Sequence, residues 1–173
     1  MTNAALQQEV IARMREMPAL IGLPIDDLAS IPLGKLRRNA TNLHAVCRYH
    51  RGVRKADGGI TPADVRTIDV HPYAMEADWT RYAAFLLFHE YLHALGFAHH
   101  DRTFRALEAL WPDAEARAMG PAFATHLRLR AAKWLWRCTQ CGRDHPRQRR
   151  SGGRYRCRTC EVPLIDVPTS PEH

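Results

Sequence analysis

Apolar positions along the chain recur at both helical and strand periods. Residues 3–16 carry apolar side chains at helical spacing, and residues 41–50 and 65–70 alternate apolar with polar positions, as half-buried strands do. Residues 79–88 are apolar nearly all round, which is typical of a helix buried inside a domain. The pattern therefore predicts one amphipathic helix, two strands and one buried helix, in that order.

The other segments extend this prediction. Prolines interrupt residues 18–36, where only residues 26–29 favour a helical turn. Asp101 is a suitable N-cap for a helix over residues 102–111, and residues 122–133 have a helical composition. Strands followed by separate helices predict an α+β fold, in which the buried helix packs against a small sheet.

An H-E-x-x-H motif at residues 89–93 directly follows the buried apolar run. On a helix, His89 and His93 lie one turn apart on the same face, so their imidazoles can bind one metal ion beside Glu90. Gly96 can end the helix and let the chain return with a third histidine. Three protein ligands and one open position define catalytic zinc. The alternative, two hydrogen-bonded interior histidines, leaves the cost of a buried Glu90 charge unexplained.

Length and composition fit one domain of ordinary size with a small appendage. The 173 residues are 46% apolar, which is enough for a hydrophobic core. No apolar run is long enough to span a membrane, and the N-terminal residues mix charged and amide side chains, unlike a signal peptide. We therefore expect a soluble monomer without membrane contact. We expect it in the cytoplasm, associated with the nucleoid if the source is a prokaryote.

Four of the five cysteines form two C-x-x-C pairs fifteen residues apart: Cys138, Cys141, Cys157 and Cys160. This spacing is typical of a zinc ribbon, in which four thiolates surround one structural ion. In the gap, Gly152-Gly153 is predicted to turn a hairpin between residues 147–150 and residues 154–156. A redox role is the alternative, although the chain has no thioredoxin-like context. We interpret Cys47 as a packed strand thiol.

Positive charge is concentrated in residues 126–160, which hold eleven Arg or Lys and one acid, in a chain of net charge +7. Arginine forks match phosphate oxygens, and Trp134, Trp136 and Tyr155 can stack on bases, so the segment predicts nucleic-acid binding. The alternative is a solvated basic face without a specific partner. The candidate contacts are Arg143, Arg147, Arg149, Arg150, Arg154, Arg156 and Arg158.

In combination, these features resemble the SprT-like, or Spartan-like, metalloproteases. The shared features are the short strands, the H-E-x-x-H helix, the stretch His100-Asp101-Arg102-Thr103-Phe104 and the basic four-cysteine ribbon, over roughly residues 40–165. The resemblance implies a compact zincin-like domain followed by a zinc ribbon. It also implies cleavage of proteins bound or crosslinked to DNA, with single- or double-stranded DNA as the partner of the basic segment.

The third zinc ligand has two candidates. The metzincin spacing, measured from His93 with Gly96 between, selects His99. The SprT-like pattern, in which a histidine precedes a helix phenylalanine by four residues, selects His100. We predict His100, with His99 as the alternative. The reason is that Phe104 and the Asp101 cap fix the phase of the following helix.

These features predict a zinc endopeptidase with one catalytic and one structural zinc ion. The ligands of the catalytic zinc are His89, His93 and His100, and Glu90 is the general base that later passes its proton to the leaving amine.

Several points stay open in the sequence. The oxyanion is stabilised by Tyr91, by His126 or by the metal alone. The predicted domains are a protease domain over residues 1–133, and a ribbon with a short tail over residues 134–173. Two other functions fit the same residues: a non-catalytic nucleic-acid-binding or transcription-associated zinc protein, and a general peptidase whose ribbon is only structural.

Overall fold

A computed structural model describes residues 2–53 and 59–169 of the chain. These residues form a mixed α+β fold with two small sheets, which confirms the predicted fold class. The helices are α1 Asn3–Arg15, α2 Thr80–Ala94, α3 Arg102–Glu108, α4 Ala114–Ala118 and α5 Gly120–Ala131. The strands are β1 Leu33–Lys35, β2 Ala45–Tyr49, β3 Val65–Val70, β4 Trp134–Cys138, β5 Asp144–Arg147 and β6 Leu164–Pro168.

The first sheet has the strand order β1-β3-β2. β3 has the predicted bounds and β2 lies within the predicted strand, so both predictions are confirmed. β2 runs antiparallel to β3 and places Cys47 opposite Ile68, and both side chains are buried. The interpretation of Cys47 as a packed strand thiol is therefore confirmed.

β1 is absent from the sequence prediction, because three residues after a proline carry no strand pattern of their own. It forms by pairing in parallel with β3, which places Gly34 opposite Asp69. A Cβ at Gly34 would overlap Oδ1 of Asp69, whose other carboxylate oxygen is bonded to Arg48. The missing side chain therefore allows this strand to pack beside β3.

α2 is the buried helix that the apolar pattern predicts, and twelve of its fifteen residues are buried. It contacts α1, α3 and α4 as well as strands β2 and β3, so it is held from several directions. The helix ends at Ala94, and Gly96, two residues later, adopts a φ of +98° and donates its N–H to the carbonyl oxygen of His93 at 3.2 Å. A Cβ at Gly96 would lie 3.0 Å from the carbonyl oxygen of Ile60, so this position requires glycine.

α3 begins at the predicted residue and ends earlier than predicted. The Asp101 carboxylate accepts a hydrogen bond from the Phe104 N–H at 2.9 Å, which confirms the N-cap. The last helical residue is Glu108. The next residues close tight turns instead, in which Leu110 N–H donates to the Leu107 carbonyl oxygen and Trp111 N–H to that of Glu108, and Pro112 disfavours a helical conformation at Trp111.

The second sheet is antiparallel and has the order β5-β4-β6. β4 pairs with β5 across the first C-x-x-C turn and with β6 on its other edge. The turn predicted at Gly152-Gly153 is present, but the predicted hairpin is wrong: residues 147–150 and 154–156 do not pair with each other, since Arg147 pairs with Trp134 and Arg156 with Pro163. The two C-x-x-C turns, residues 138–142 and 157–161, which we call the knuckles, hold the ribbon strands, so the gap needs no hairpin of its own.

Two compact units are present, Met1–Phe123 and Ala124–His173. The first contains the sheet β1-β3-β2 and helix α2, and the second contains the ribbon strands. The unit boundary falls inside α5, and the predicted domain boundary after residue 133 stays a prediction. None of the helices within residues 2–53 and 59–169 has the length and hydrophobicity that crossing a bilayer requires.

Candidate functional site

Three histidines converge beside the C-terminal half of α2, and we call them the histidine cluster: His89, His93 and His100. The Nε2 atom of His100 lies 3.0 Å from Nε2 of His93 and 3.1 Å from Nε2 of His89. α2 provides the first two histidines one turn apart, and the turn after Gly96 returns the third. Phe104 of α3 packs against all three rings, with ring centroids 4.7–4.9 Å away.

The other ring nitrogens show which atoms can bind a metal. Nδ1 of His93 lies 2.8 Å from the carbonyl oxygen of Phe97, and Nδ1 of His89 lies 2.6 Å from Oε1 of Glu108. Both oxygens only accept hydrogen bonds, so each Nδ1 carries the proton and each Nε2 presents a lone pair. A cation between these lone pairs and Nε2 of His100 would be bound by all three nitrogens.

The spacing of the histidine cluster fits zinc. Zinc–nitrogen bonds of about 2.0–2.1 Å in tetrahedral directions separate the ligand nitrogens by about 3.3 Å. The Nε2 separations of 3.0 and 3.1 Å are within a few tenths of an ångström of that value. The donor set is also the one found in catalytic zinc sites, with three protein ligands and a fourth position for a small molecule.

Glu90 lies between the histidine cluster and the first sheet. It follows His89 on α2 and is only 6% exposed. Its Oε2 accepts a hydrogen bond of 2.7 Å from the backbone N–H of Cys47 on β2. This bond fixes the carboxylate against the strand, and a charge-assisted bond of this kind offsets part of the cost of burying it.

Some of the residues predicted for the active site lie at the histidine cluster, and others lie away from it. His100 joins the histidine cluster, whereas among the described residues His99 lies outside this group and is exposed. Tyr91 is fully buried, and its hydroxyl accepts a hydrogen bond from Nε2 of Gln7 on α1 at 3.2 Å. The prediction of Tyr91 at the oxyanion is therefore wrong, because a phenol enclosed in the core does not reach a substrate. The role of His126 stays a prediction.

Glu108 and His89 shift each other's proton affinity. Burial lowers the pKa of His89, and the hydrogen bond to Glu108 acts in the opposite direction. Burial by itself would raise the pKa of Glu108, but hydrogen bonds from Arg105 and His89 bring this pKa below its usual range. At neutral pH the pair is thus a neutral imidazole that donates to an ionised carboxylate.

The four ribbon cysteines, Cys138, Cys141, Cys157 and Cys160, place their sulfur atoms within 4.8 Å of one another. Sγ of Cys141 lies 3.9 Å from Sγ of Cys157, close to the spacing of about 3.8 Å that tetrahedral zinc–sulfur bonds of about 2.3 Å require. Hydrogen bonds from the N–H groups of Thr159 and Cys160 lower the pKa of the Cys157 thiol to about 6. A thiolate at neutral pH is the form that binds zinc.

The two knuckles have the same backbone pattern. The N–H of Gly142 donates to the carbonyl oxygen of Cys138 at 2.9 Å, and the N–H of Glu161 donates to that of Cys157 at the same distance. Gly142 has a φ of +68° and Glu161 a φ of +57°. Glu161 therefore adopts the left-handed conformation that favours glycine, so the second knuckle keeps the same turn as the first although its residue is not the usual small one.

Four of the candidate arginines line an open groove of about 640 Å³ on the ribbon, which we call the ribbon groove. Trp136 and Tyr155 stack in this groove with ring centroids 4.5 Å apart, and Tyr155 is 52% exposed. The guanidinium of Arg147 lies 4.9 Å from the centroid of the Trp136 ring. The groove lining consists of Trp136, Arg143, His145, Arg147, Tyr155, Arg156, Arg158 and Leu164.

The other three candidate arginines are exposed and do not line the groove: Arg149, Arg150 and Arg154. The carbonyl oxygen of Arg149 accepts from Nε1 of Trp136 at 2.8 Å, and Arg150 packs over the ring of Trp134 at 4.2 Å. The structure therefore divides the seven predicted arginines into a groove set and a peripheral set.

Sequence reasoning missed two residues. Glu108, the last residue of α3, contacts His89. The one feature of the sequence that could have indicated this role is a carboxylate one helical turn after Phe104. His145 lines the ribbon groove, and nothing in its local sequence distinguishes it from a surface histidine. Both positions depend on pairing between elements, which the local pattern does not encode.

Residues 132–166 match the family model of the SprT-like zinc ribbon domain. The match contains all four ribbon cysteines and all seven candidate arginines, and it covers about a fifth of the chain. No curated protein and no solved structure matches the chain. The four-cysteine cluster supports zinc binding on its own geometry, and the sequence match agrees with it. Residues 132–166 are therefore similar in sequence to the SprT-like zinc ribbon domain.

Proposed function

We propose that the protein is a zinc-dependent endopeptidase of the SprT-like type that acts on proteins held at DNA. The observation that carries this proposal is the convergence of three Nε2 atoms beside a buried glutamate on the same helix. A purely structural zinc site is normally closed by four protein ligands, whereas within residues 2–53 and 59–169 this cluster offers three. Three protein ligands are expected at a catalytic zinc site, where the fourth coordination position is left for water or substrate.

In the proposed mechanism each residue has one task. His89, His93 and His100 would hold the zinc through Nε2, and the ion would supply Lewis acidity for a peptide carbonyl and for a water molecule. Glu90 accepts the proton of the attacking water and passes it to the nitrogen of the leaving amine. The Cys47 N–H holds the Glu90 carboxylate in place between these two proton transfers.

The metal content tests the zinc assignment directly. We expect the purified chain to bind two zinc ions, and we expect His93→Ala to bind one, because removal of one of three ligands leaves the histidine cluster with two. The measurement is elemental analysis after dialysis against a weak chelator. His99→Ala is the matched control, since His99 lies outside the cluster, and it should keep both ions. A second zinc ion that survives in His93→Ala would refute the proposed site.

The ribbon groove is the proposed DNA-binding surface. Its arginines supply charges for phosphate oxygens, and the exposed face of Tyr155, stacked on Trp136, supplies a platform for a base. Unpaired bases expose the faces that stack on aromatic rings, so we expect single-stranded DNA to bind more tightly than duplex DNA. DNA bound at this surface recruits substrates that are attached to the same DNA.

Single substitutions distinguish this groove from a general basic face. We expect Tyr155→Ala to weaken single-stranded DNA binding about 5- to 150-fold, because base stacking contributes about 1–3 kcal/mol. We expect Arg158→Ala to reduce the slope of log affinity against log salt by about 0.7, the value for one phosphate contact on a single strand. The measurement is fluorescence anisotropy with a labelled 20-nucleotide strand and its duplex at several salt concentrations.

The control for this experiment is Arg154→Ala, which removes an exposed arginine of the same segment outside the groove lining. It should change the affinity much less than Arg158→Ala. Equal losses for the two arginines, with no effect of Tyr155→Ala, would mean that the segment attracts DNA only through its total charge.

A further inference from the structure

The last residue of α3, Glu108, connects the histidine cluster to the protein surface. Its side chain is 15% exposed, and its Oε1 lies 2.6 Å from Nδ1 of His89. Its other oxygen, Oε2, accepts a hydrogen bond of 2.8 Å from Arg105, three residues earlier on the same helix. Arg105 is 56% exposed, so the series runs from a surface guanidinium through a carboxylate to a predicted zinc ligand.

The two histidines of α2 have different partners on Nδ1. His93 donates to a backbone carbonyl oxygen, whereas His89 donates to a carboxylate. A carboxylate partner fixes the tautomer, as a carbonyl does, and in addition makes the imidazole a stronger base and a stronger metal ligand. The partner of His93 belongs to the backbone and cannot be removed by substitution, but the partner of His89 can.

We propose that Glu108 is a positioning residue that holds His89 with its Nε2 lone pair toward the metal, and that Arg105 orients the Glu108 carboxylate. This inference rests on the proposed zinc function of the histidine cluster. It assigns α3 two contributions to the site: Phe104 packs against the three rings, and Glu108 sets the tautomer and rotation of one of them.

The test measures zinc affinity and the state of His89 separately. We expect zinc affinity at the histidine cluster to fall about 10- to 100-fold in Glu108→Ala, which is the usual loss for a removed outer partner of a metal-bound histidine. Glu108→Gln keeps an oxygen acceptor without the charge, so its affinity should lie between those of the wild type and Glu108→Ala. Arg105→Ala should give a smaller loss than Glu108→Ala, because it acts only through the carboxylate.

Zinc affinity is measured on the full chain by competition with a chelator of known affinity, and the ribbon zinc serves as the internal reference. A second readout does not depend on metal. In the zinc-free protein, long-range proton–nitrogen NMR spectra should show His89 protonated at Nδ1 in the wild type and as a tautomer mixture in Glu108→Ala. A merely structural role for Glu108 would leave this tautomer unchanged.

The matched control is Glu9→Gln, which removes a carboxylate from a comparable ion pair within α1, with Arg13. It should leave zinc affinity and the His89 tautomer unchanged. If Glu108→Ala fails to fold, Glu108→Gln and Arg105→Ala carry the test.

The outcomes separate this inference from the proposed function. A wild-type chain that binds two zinc ions, together with Glu108 variants whose affinity stays within about threefold, would overturn only the role of Glu108. A wild-type chain that binds only one zinc ion, or a His93→Ala chain that keeps two, would overturn both the zinc function and this inference. Graded losses in the order Arg105→Ala, Glu108→Gln, Glu108→Ala would support it.

Discussion

Replacement of Glu90 by Gln is expected to abolish protein cleavage and to leave both zinc ions bound. The glutamine amide has nearly the same size, and its oxygen can still accept the hydrogen bond from the Cys47 N–H, so the fold is preserved. An amide cannot accept the proton of the attacking water at neutral pH. We therefore expect a loss of at least about 10²- to 10⁴-fold in kcat, the usual contribution of a general base.

The measurement is cleavage of a DNA-crosslinked protein, with single-stranded, double-stranded or no DNA, followed by gel electrophoresis over time. Glu115→Gln is the matched control, because its carboxylate lies on the surface, bonded to Arg81, and takes no part in the histidine cluster. It should cleave at the wild-type rate. Full cleavage by the Glu90→Gln chain would mean that Glu90 is not the base. Cleavage that does not depend on DNA would favour a general peptidase.

The histidine cluster was largely predictable because its spacing follows from helix geometry. The four-residue interval places His89 and His93 on one helix face, and Asp101 and Phe104 fix the phase that brings in His100. These are local relations of the kind that a sequence encodes directly. The fold class and the bounds of β3 were predictable for the same reason.

The partners of the cluster were not predictable, because they come from other elements. Glu90 is held by a strand 43 residues earlier in the chain, and the partner of His89 is 19 residues away on α3. The strand β1 has no pattern of its own and forms only by pairing with β3. The wrong prediction of a hairpin at Gly152-Gly153 has a related cause. The strand that pairs with β4 is set by the C-x-x-C turn that follows β4, and a pair of glycines does not by itself determine which strands pair.

Removal of the ribbon zinc is expected to unfold the ribbon and to leave the first unit folded. Among the ribbon residues that the structure describes, the buried apolar cluster consists of Cys138, Cys157 and Leu164, with Trp136, Cys160 and Val162 packed against it. Half of these residues are zinc ligands, so little apolar surface remains to offset chain entropy when the ion leaves. Structural zinc ions in small domains contribute about 10–16 kcal/mol of apparent binding free energy, which is folding free energy.

The variant that tests this is Cys138→Ser, and Cys47→Ala is the matched control, because Cys47 is a buried cysteine of the first unit outside both metal clusters. In Cys138→Ser the NMR signal of the Trp136 indole N–H, which is bonded to the Arg149 carbonyl, should move to its unfolded position while the α2 signals persist. The control should keep both signals. Because residues of both knuckles line the ribbon groove, DNA affinity should fall to the level of non-specific charge attraction in the same variant. A ribbon that stays folded and binds DNA without zinc would contradict this prediction.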